Sequence, residues 1–228
     1  NPAFQDVLVG CGIDARKISV IPPFIPVKDA SAKEPLLAAE AEAFCAERRP
    51  LILTYANGPD IHDGQDLYGL DLLVELARRL RVDFPAVGVV VVIPQIVDAR
   101  HFAELREEIR VAGLDRLFHF AVGFEVSFIR FLLRADVFVR ATNTDGDALT
   151  LREALHYGIP AVASDVTERP EGTRLFRNRD EADLSRAVGE ALRTGKEDSG
   201  RMGEEDNTAE QFLDVFREAA DEGEGDRK

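Results

Sequence analysis

The sequence contains few of the residues that usually build disulfide frameworks or metal sites. Among 228 residues there are no tryptophans, one methionine, four histidines and two cysteines. Cys11 and Cys45 belong to no Cys-x-x-Cys pattern, and the four histidines show no paired-ligand spacing. We therefore expect neither a disulfide framework nor a structural metal site.

Long apolar runs and signal patterns are also missing. The longest apolar run, Val87 to Ile93, is too short to span a bilayer, and the N-terminal residues show no targeting pattern. We therefore expect a cytoplasmic protein. The composition, 45% hydrophobic and 31% charged, is typical of a folded protein, and the length allows one large domain or two small ones.

Basic residues are outnumbered. The 28 lysines and arginines face 42 acidic residues, so the formal net charge is −14. Such a chain does not attract a nucleic-acid backbone, and any anion site must be local. No Gly-x-Gly-x-x-Gly follows a predicted strand and no Walker-type Gly-Lys-Ser/Thr occurs. These absences argue against dinucleotide-dependent dehydrogenases and P-loop nucleotidases.

From residue 51 onward, strand-like and helix-like patterns alternate. Strands are predicted at Leu51–Ala56, Val87–Ile93, Leu117–Val122, Val137–Ala141, Ala161–Ser164 and Arg174–Phe176. Helices are predicted at Leu70–Val82, Ala99–Ala112, Val126–Leu133, Leu149–Tyr157 and Asp180–Arg193. Unbroken apolar strands between helices predict an α/β fold, with a Rossmann-like parallel sheet covered by helices on both faces.

Two flanks surround this body of residues 51–195. Residues 1–50 form an inter-domain connecting segment with predicted helices at Phe4–Cys11 and Leu36–Glu47 and a proline-interrupted extended stretch at Ile18–Ile25. Residues 196–228 form an acidic linker followed by a helix at Asn207–Ala220. That helix is amphipathic, and its apolar face holds Phe212, Leu213 and Phe216.

Ligands of open parallel sheets bind beyond the carboxyl ends of the strands, so the loops there are the candidate sites. The loop at 57–64, which begins with Asn57 and Gly58, is longer than a usual connection. It is either a binding loop or an ordinary turn-rich connection. The stretch from Arg140 to Glu153 is more informative, because a strand ends there, a polar loop follows and a helix begins.

The start of that helix is a candidate site for a phosphate or diphosphate. Free amides of Gly146, Asp147, Ala148, Leu149 and Thr150 would point toward the strand ends. Glu153, just over one turn into the helix, could accept hydrogen bonds from two vicinal hydroxyls. Alternatively, Glu153 belongs to a solvated helix face, and Asp145 and Asp147 merely cap the helix.

Three arginines are close in sequence to this loop, namely Arg140, Arg152 and Arg169. Together they would offset the charge of a diphosphate in an otherwise acidic chain. The alternative is that each forms an ordinary surface ion pair.

At these residues the sequence resembles the C-terminal, donor-binding domain of group 1 glycosyltransferases, retaining enzymes of the GT-B fold. Their Glu-x7-Glu signature corresponds here to Asp145-Gly-Asp-Ala-Leu-Thr-Leu-Arg-Glu153-Ala. Gly158-Ile-Pro-Ala-Val-Ala-Ser164-Asp165 and the preceding Ala135-Asp-Val-Phe-Val139 also match the family's pattern. Gly12 to Pro22 resembles the stretch that leads into this domain, so the likeness covers nearly all of residues 1–220.

The resemblance implies roles for these positions. Glu153 would hold the nucleotide ribose, and Asp145 would contact the donor sugar, with Arg152 beside them as a third catalytic position. The turn at Val122 and Gly123 would flank the base, and the amides from Gly146 to Thr150 would meet the diphosphate and the sugar. Such enzymes need no catalytic metal or other cofactor, because stabilising the departing diphosphate supplies the catalysis.

Two departures from the family pattern bear on activity. Relatives carry an Arg and a Lys on the diphosphate where this sequence has Asn57-Gly58 and Tyr68-Gly69, and the first motif glutamate is shortened to Asp145. Either the arginines near the loop replace the missing cations, or the chain is a catalytically degenerate nucleotide-sugar-binding or scaffolding domain. A sugar-nucleotide 2-epimerase shares the GT-B plan, but Ser164-Asp165 and the stretch at 169–172 fit the transferases better.

The resulting expectation is a hexosyltransferase-type domain that binds a nucleoside-diphosphate sugar. It would transfer the sugar, with retention, to a glycan or lipid-linked acceptor. Because the acceptor half of a GT-B enzyme is its N-terminal domain, we expect this chain to be inactive without that partner. Any membrane contact would run through that partner domain.

Overall fold

The computed structural model describes residues 2–21, 34–195 and 211–217. Residues 34–195 belong to one unit, whereas 2–21 and 211–217 belong to another. The larger unit begins before the predicted body at residue 51, because helix Ala39–Glu47 packs beside strand Phe118–Val122 and Arg134 pairs with Glu42. Among the described residues, no helix has the length and apolarity needed to cross a bilayer.

The described part of the larger unit, residues 34–195, contains eight strands. They are β1 Leu51–Tyr55, β2 Ile61–His62, β3 Gln65–Asp66, β4 Gly88–Ile93, β5 Phe118–Val122, β6 Val137–Arg140, β7 Ala161–Ser164 and β8 Arg174–Phe176. Six of them form a parallel sheet in the order β5-β4-β1-β6-β7-β8. The predicted Rossmann-like parallel sheet is therefore confirmed.

Apart from the stretch at 211–217, the described residues form seven helices of four or more residues. They are α1 Pro2–Gly10 in the smaller unit, then α2 Ala39–Glu47, α3 Leu70–Asp83, α4 Ala99–Val111, α5 Phe128–Leu132, α6 Leu149–His156 and α7 Glu181–Thr194. Short 3-10 turns occur at Ala15–Lys17 and Asp115–Leu117. The helices of the predicted body each lie within two residues of their predicted bounds, and α2 begins three residues after its predicted start.

Helices cover both faces of the sheet, because strand side chains point alternately to either side. Val89, Val91 and Ile93 of β4 share one buried cluster with α3, α4 and α7. On the other face, α2, α5 and α6 pack against the strands. There Phe138 of β6 meets the Phe128 ring edge-on, with ring centroids 5.6 Å apart.

The long loop after β1 contains a feature that the sequence prediction missed. β2 and β3 pair there as a short antiparallel hairpin, with Ile61 opposite Asp66. Its turn is Asp63-Gly64, and both residues have positive φ angles, 51° and 75°. Asp-Gly is a preferred pair for such turns, so the signal was present in the sequence. The hairpin accounts for much of the loop's extra length.

The smaller unit contains α1 and a helical stretch at 211–217. That stretch lies inside the predicted C-terminal helix, whereas 207–210, 218–220 and the predicted linker at 196–206 fall outside the described residues. The described part of the extended stretch, 18–21, forms no strand, and 22–25 is also outside. Phe212, Leu213 and Phe216 are exposed on the helical stretch.

Candidate functional site

A cleft of about 550 Å³ opens at the carboxyl edge of the sheet. It lies between β1 and β6, where the strand order reverses. From β1 the chain continues to β4 and β5 on one side of the sheet, and from β6 it continues to β7 and β8 on the other side. This is the usual ligand position in open parallel sheets. The lining residues are Glu34, Tyr55, Asn57, Val92, Pro94, Gly123, Phe124, Val126, Phe128, Ile129, Arg140, Asp147, Ala148, Leu149, Thr150 and Glu153.

The N-terminus of α6 faces this cleft without a side-chain cap. Asp98, Ser127 and Asp180 cap α4, α5 and α7, but Ala148 at the start of α6 offers no capping group. The Thr150 hydroxyl oxygen is buried and has no hydrogen-bond partner among the described residues. Uncapped amides at a helix start carry partial positive charge, so this end suits an anion.

Neither nearby aspartate caps α6, so the capping interpretation is wrong. The Asp147 carboxylate instead accepts from Arg152, with Oδ1 3.1 Å from Nε and Oδ2 2.9 Å from Nη2. Asp147 lines the cleft, whereas Arg152 does not. The charges of this pair cancel each other.

Asp145 lies behind the cleft and joins two arginines. Its Oδ2 atom is 2.5 Å from Arg140 Nε and 2.6 Å from Arg169 Nη1, and Thr142 Oγ1 donates to it at 3.1 Å. Burial by itself raises the pKa of Asp145, but the hydrogen bonds and charges of Arg140 and Arg169 outweigh that effect and hold the pKa below its usual value. Two guanidinium groups share one carboxylate, so this triad carries one net positive charge.

The three arginines do not surround the cleft as predicted. Arg140 lines it, but the Arg169 side chain is only 2% exposed and donates to Asp145, the Ser164 carbonyl and the Ser164 hydroxyl. Arg152 is held by Asp147. The sequence could not show this, because each ion pair depends on distances between loops that only the folded chain defines.

Glu153 is a half-buried residue of the cleft, and no hydrogen bond or ion pair joins its carboxylate to another described residue. Burial, with a contribution from the charge of Glu34, raises its pKa from 4.5 to about 7. A solvated helix face would not raise the pKa in this way. The carboxylate is therefore available to accept hydrogen bonds from a ligand.

Two tyrosines lie near the cleft, of which only Tyr68 was singled out in the sequence, as a departure from the family pattern. Burial raises the pKa of Tyr68, and the charge of Arg140 and the backbone amides of Gly58 and Asn57 partly oppose that effect. Tyr55, at the end of β1, lines the cleft. Tyr68 stands where the resembled family has a different residue, and no spacing pattern in the sequence indicates that a tyrosine lies at the cleft.

The remaining predicted positions lie at or just outside the cleft. Asn57 lines it, but Gly58 does not, because Val97 packs against the Gly58 backbone, where an added Cβ would come within 2.4 Å of Val97 Cγ2. Val122 is also outside the lining and is replaced there by Gly123 and Phe124. The Gly146 amide donates to Asp145 at 3.0 Å.

A larger groove, about 950 Å³, lies at the opposite, amino-terminal edge of the sheet. Arg49, Leu80, Phe84, Asp136 and Arg193 are among its lining residues. It has no uncapped helix start, and parallel sheets place their ligands at the other edge, so the smaller cleft is the better candidate. Within the described part of the chain, no three His, Cys, Asp or Glu side chains converge as a metal site requires.

Comparison with protein-family models and with curated protein sequences gives no match. Solved structures do match. A glycosyltransferase from Rickettsia africae has a TM-score of 0.66 and 17% identity over 84% of this chain and 51% of its own. Anabaena Alr3699/HepE, solved in complex with UDP, has a TM-score of 0.70 and 14% identity over 99% of this chain and 62% of its own.

A third structure corresponds to a single domain. The C-terminal domain of a group 1 family glycosyltransferase, LpcC, from Francisella tularensis has a TM-score of 0.56 and 18% identity, over 74% of this chain and 91% of its own. The chain thus spans between half and two thirds of the first two proteins, but matches most of this isolated domain. The expected half of a GT-B fold is confirmed: the chain shares the fold of the C-terminal domain of a group 1 glycosyltransferase.

Proposed function

We propose that the cleft binds a nucleoside-diphosphate sugar and that the chain is the donor half of a glycosyltransferase. The observation that carries the proposal is the position of Glu153. Its carboxylate has no partner among the described residues and lies just over one turn into α6, whose uncapped N-terminus faces the same cleft. A hydroxyl-binding acceptor next to an anion-binding helix end matches the ribose and diphosphate of one ligand.

The charges in the cleft support binding of a diphosphate. The Arg140–Asp145–Arg169 triad leaves one net positive charge, and Arg140 is its member that reaches the cleft. During sugar transfer, negative charge develops on the leaving diphosphate. Arg140 and the amides of Leu149 and Thr150 would stabilise this charge, and Thr150 Oγ1 could donate a further hydrogen bond.

The base and the sugar would occupy the two ends of the cleft. Phe124, Val126 and Ile129 give one part an apolar lining suited to a flat nucleobase. Anabaena Alr3699/HepE was solved with UDP, which makes UDP and its sugars the first ligands to try. The resemblance extends the proposal to transfer of a hexose, with retention, to a glycan or lipid-linked acceptor held by an N-terminal GT-B domain, without which this chain would not turn over.

Calorimetric titration with UDP, GDP and their sugars tests the proposal. We expect at least one of them to bind, and we expect Glu153→Gln to weaken that binding by about 1 to 3 kcal/mol, because a charged hydrogen-bond acceptor is lost. Glu47→Gln, an exposed position at the end of α2, is the matched control. Absence of binding by all of these ligands at millimolar concentration would overturn the proposal.

A second candidate is a nucleotide-sugar sensing or scaffolding domain that has lost catalysis. It is favoured by the neutral residues Asn57 and Tyr68 and by the pairing of Arg152 and Arg169 away from the cleft. Both candidates bind the nucleotide, so turnover separates them. Sugar transfer by the full-length protein would exclude the sensing function, and binding without transfer to any acceptor would exclude the enzyme.

A further inference from the structure

Glu34 is the second carboxylate in the cleft, after Glu153, that forms no ion pair with a described residue, and a hydrogen bond from α5 holds its backbone in place. It precedes α2 in the chain, and its backbone carbonyl accepts a hydrogen bond from Arg130 Nη2 at 3.1 Å. Its side chain is half-buried and lines the same cleft as Glu153. No hydrogen bond or ion pair within the described ranges satisfies the Glu34 carboxylate.

Glu34 and Glu153 are close enough to influence each other, since the charge of Glu34 adds to the burial that raises the pKa of Glu153. The other charged or titratable side chains lining the cleft are Tyr55, Arg140 and Asp147. Arg140 is bound to Asp145, Asp147 is bound to Arg152, and Arg130 donates to the Glu34 backbone carbonyl, so within the described ranges no ion pair joins a cation to either glutamate carboxylate. Two neighbouring carboxylates without an ion-pair partner repel each other, and this repulsion disfavours the empty site.

Hydrogen-bond donors from a ligand would relieve this cost. Ionised carboxylates only accept hydrogen bonds, and two of them together provide more acceptor positions than a single hydroxyl can fill. A ribose offers two adjacent hydroxyl donors, and it lies between base and diphosphate in any nucleotide. The two carboxylates would repel an anionic group. The diphosphate would therefore lie away from them, at the N-terminus of α6 and near Arg140.

We propose that Glu34 is a second nucleoside-binding residue, which with Glu153 accepts hydrogen bonds from the vicinal hydroxyls of the ribose. The inference rests on the proposed function, because it assigns a further contact in that same site. It makes the cleft selective for ribonucleotides over 2′-deoxyribonucleotides. It also assigns a binding role to the segment before α2, which no motif in the sequence indicates.

The test compares wild type and Glu34→Gln by calorimetry with UDP, GDP and the 2′-deoxy form of each. Measurements at pH 8.5 keep Glu153 ionised in both proteins. We expect Glu34→Gln to weaken binding of the ribonucleotide roughly 5- to 20-fold and binding of the 2′-deoxy form by less than about 2-fold. Glu47→Gln, at the far end of α2, should bind like wild type.

A pH series adds a readout that loss of folding would not produce. In wild type, affinity should rise as the pH passes about 7 and Glu153 ionises, and in Glu34→Gln the midpoint of this rise should move to lower pH. If Glu34→Gln binds the ribonucleotides as wild type does, or loses equal affinity for the ribonucleotides and their 2′-deoxy forms, the role of Glu34 is overturned while the proposed function stands. If wild type binds none of these nucleotides, the proposed function fails as well.

Discussion

Arg140 Nε lies 2.5 Å from Asp145 Oδ2, and the same oxygen accepts from the buried Arg169 at 2.6 Å. The residue that takes the place of the first motif glutamate is thus bound within the protein, and it fixes the orientation of the arginine that lines the cleft. The Asp145 side chain is buried and does not line the cleft. We infer that Asp145 acts through Arg140 and does not itself contact the donor sugar.

Replacing this carboxylate should destabilise the protein. In Asp145→Asn, two guanidinium groups that are 13% and 2% exposed remain without their counter-ion. We expect the free energy of unfolding to fall by about 3 kcal/mol, as when one partner of a buried ion pair is removed. Urea denaturation measures the change, with the exposed Asp63→Asn as control. A loss below about 0.5 kcal/mol would show that the triad contributes little to stability.

Removing the cation of the cleft should affect phosphate binding selectively. Arg140→Gln loses a charge-assisted contact, so we expect nucleoside diphosphates to bind about 1.5 to 3 kcal/mol more weakly. A free nucleoside such as uridine has no phosphate and should bind equally to both proteins. Arg193→Gln, in the groove at the opposite edge, is the matched control. Equal losses for uridine and UDP would assign Arg140 a structural role only.

Glu153 should make stability depend on pH. Its pKa of about 7 in the folded protein lies above the ordinary 4.5, so the folded state holds the proton more tightly. The stability that this proton provides is full below pH 4.5 and is lost as pH rises toward and through 7, by on the order of 3 kcal/mol. Glu153→Gln removes this titration.

Urea denaturation at pH 5 and pH 8 checks this effect. Wild type should lose stability relative to Glu153→Gln between the two pH values, while Glu47→Gln should follow wild type. A constant difference between wild type and Glu153→Gln would mean that the carboxyl group titrates near its ordinary pKa. In that case the cleft would not desolvate the Glu153 carboxyl group appreciably.

Gly69 sets how closely the start of α3 approaches β6. Its φ is 65°, and an added Cβ would lie 2.2 Å from the Ala141 carbonyl oxygen. Gly64 has a similar φ of 75° but open space around it, so Gly64→Ala measures the backbone strain alone, about 1 kcal/mol. Gly69→Ala should cost about 1 to 3 kcal/mol more, because the backbone must shift. Equal denaturation midpoints would contradict the close approach.

The fold could be predicted because its signals are local. The short, valine-rich run at Gly88–Ile93 is typical of a strand buried on both faces, and glycines such as Gly113 and Gly158 follow the ends of helices. Although the absence of a cap on α6 emerged only from the folded chain, the start of that helix and the position of Glu153 along it follow from local spacing. These are the parts of the site that needed no tertiary information.

The pairing of charges could not be predicted in the same way. Arg169 pairs with Asp145, which lies 24 positions earlier in the sequence. Glu34 lines the same cleft as Glu153, and Arg130 of α5 holds its backbone carbonyl by a hydrogen bond. Tyr68 belongs to a loop that folds back after a hairpin. Such contacts depend on how separate loops meet at one edge of the sheet, and residue type alone does not define their partners.

Amide NMR of the 15N-labelled chain during titration with UDP or GDP would show whether a nucleotide occupies the cleft at the N-terminus of α6. The largest shifts should fall on Gly123, Leu149 and Thr150, with none in the groove formed by Arg49, Phe84 and Gly189. Shifts confined to that groove, or no shifts at a high nucleotide concentration, would show that the nucleotide does not occupy the cleft at α6.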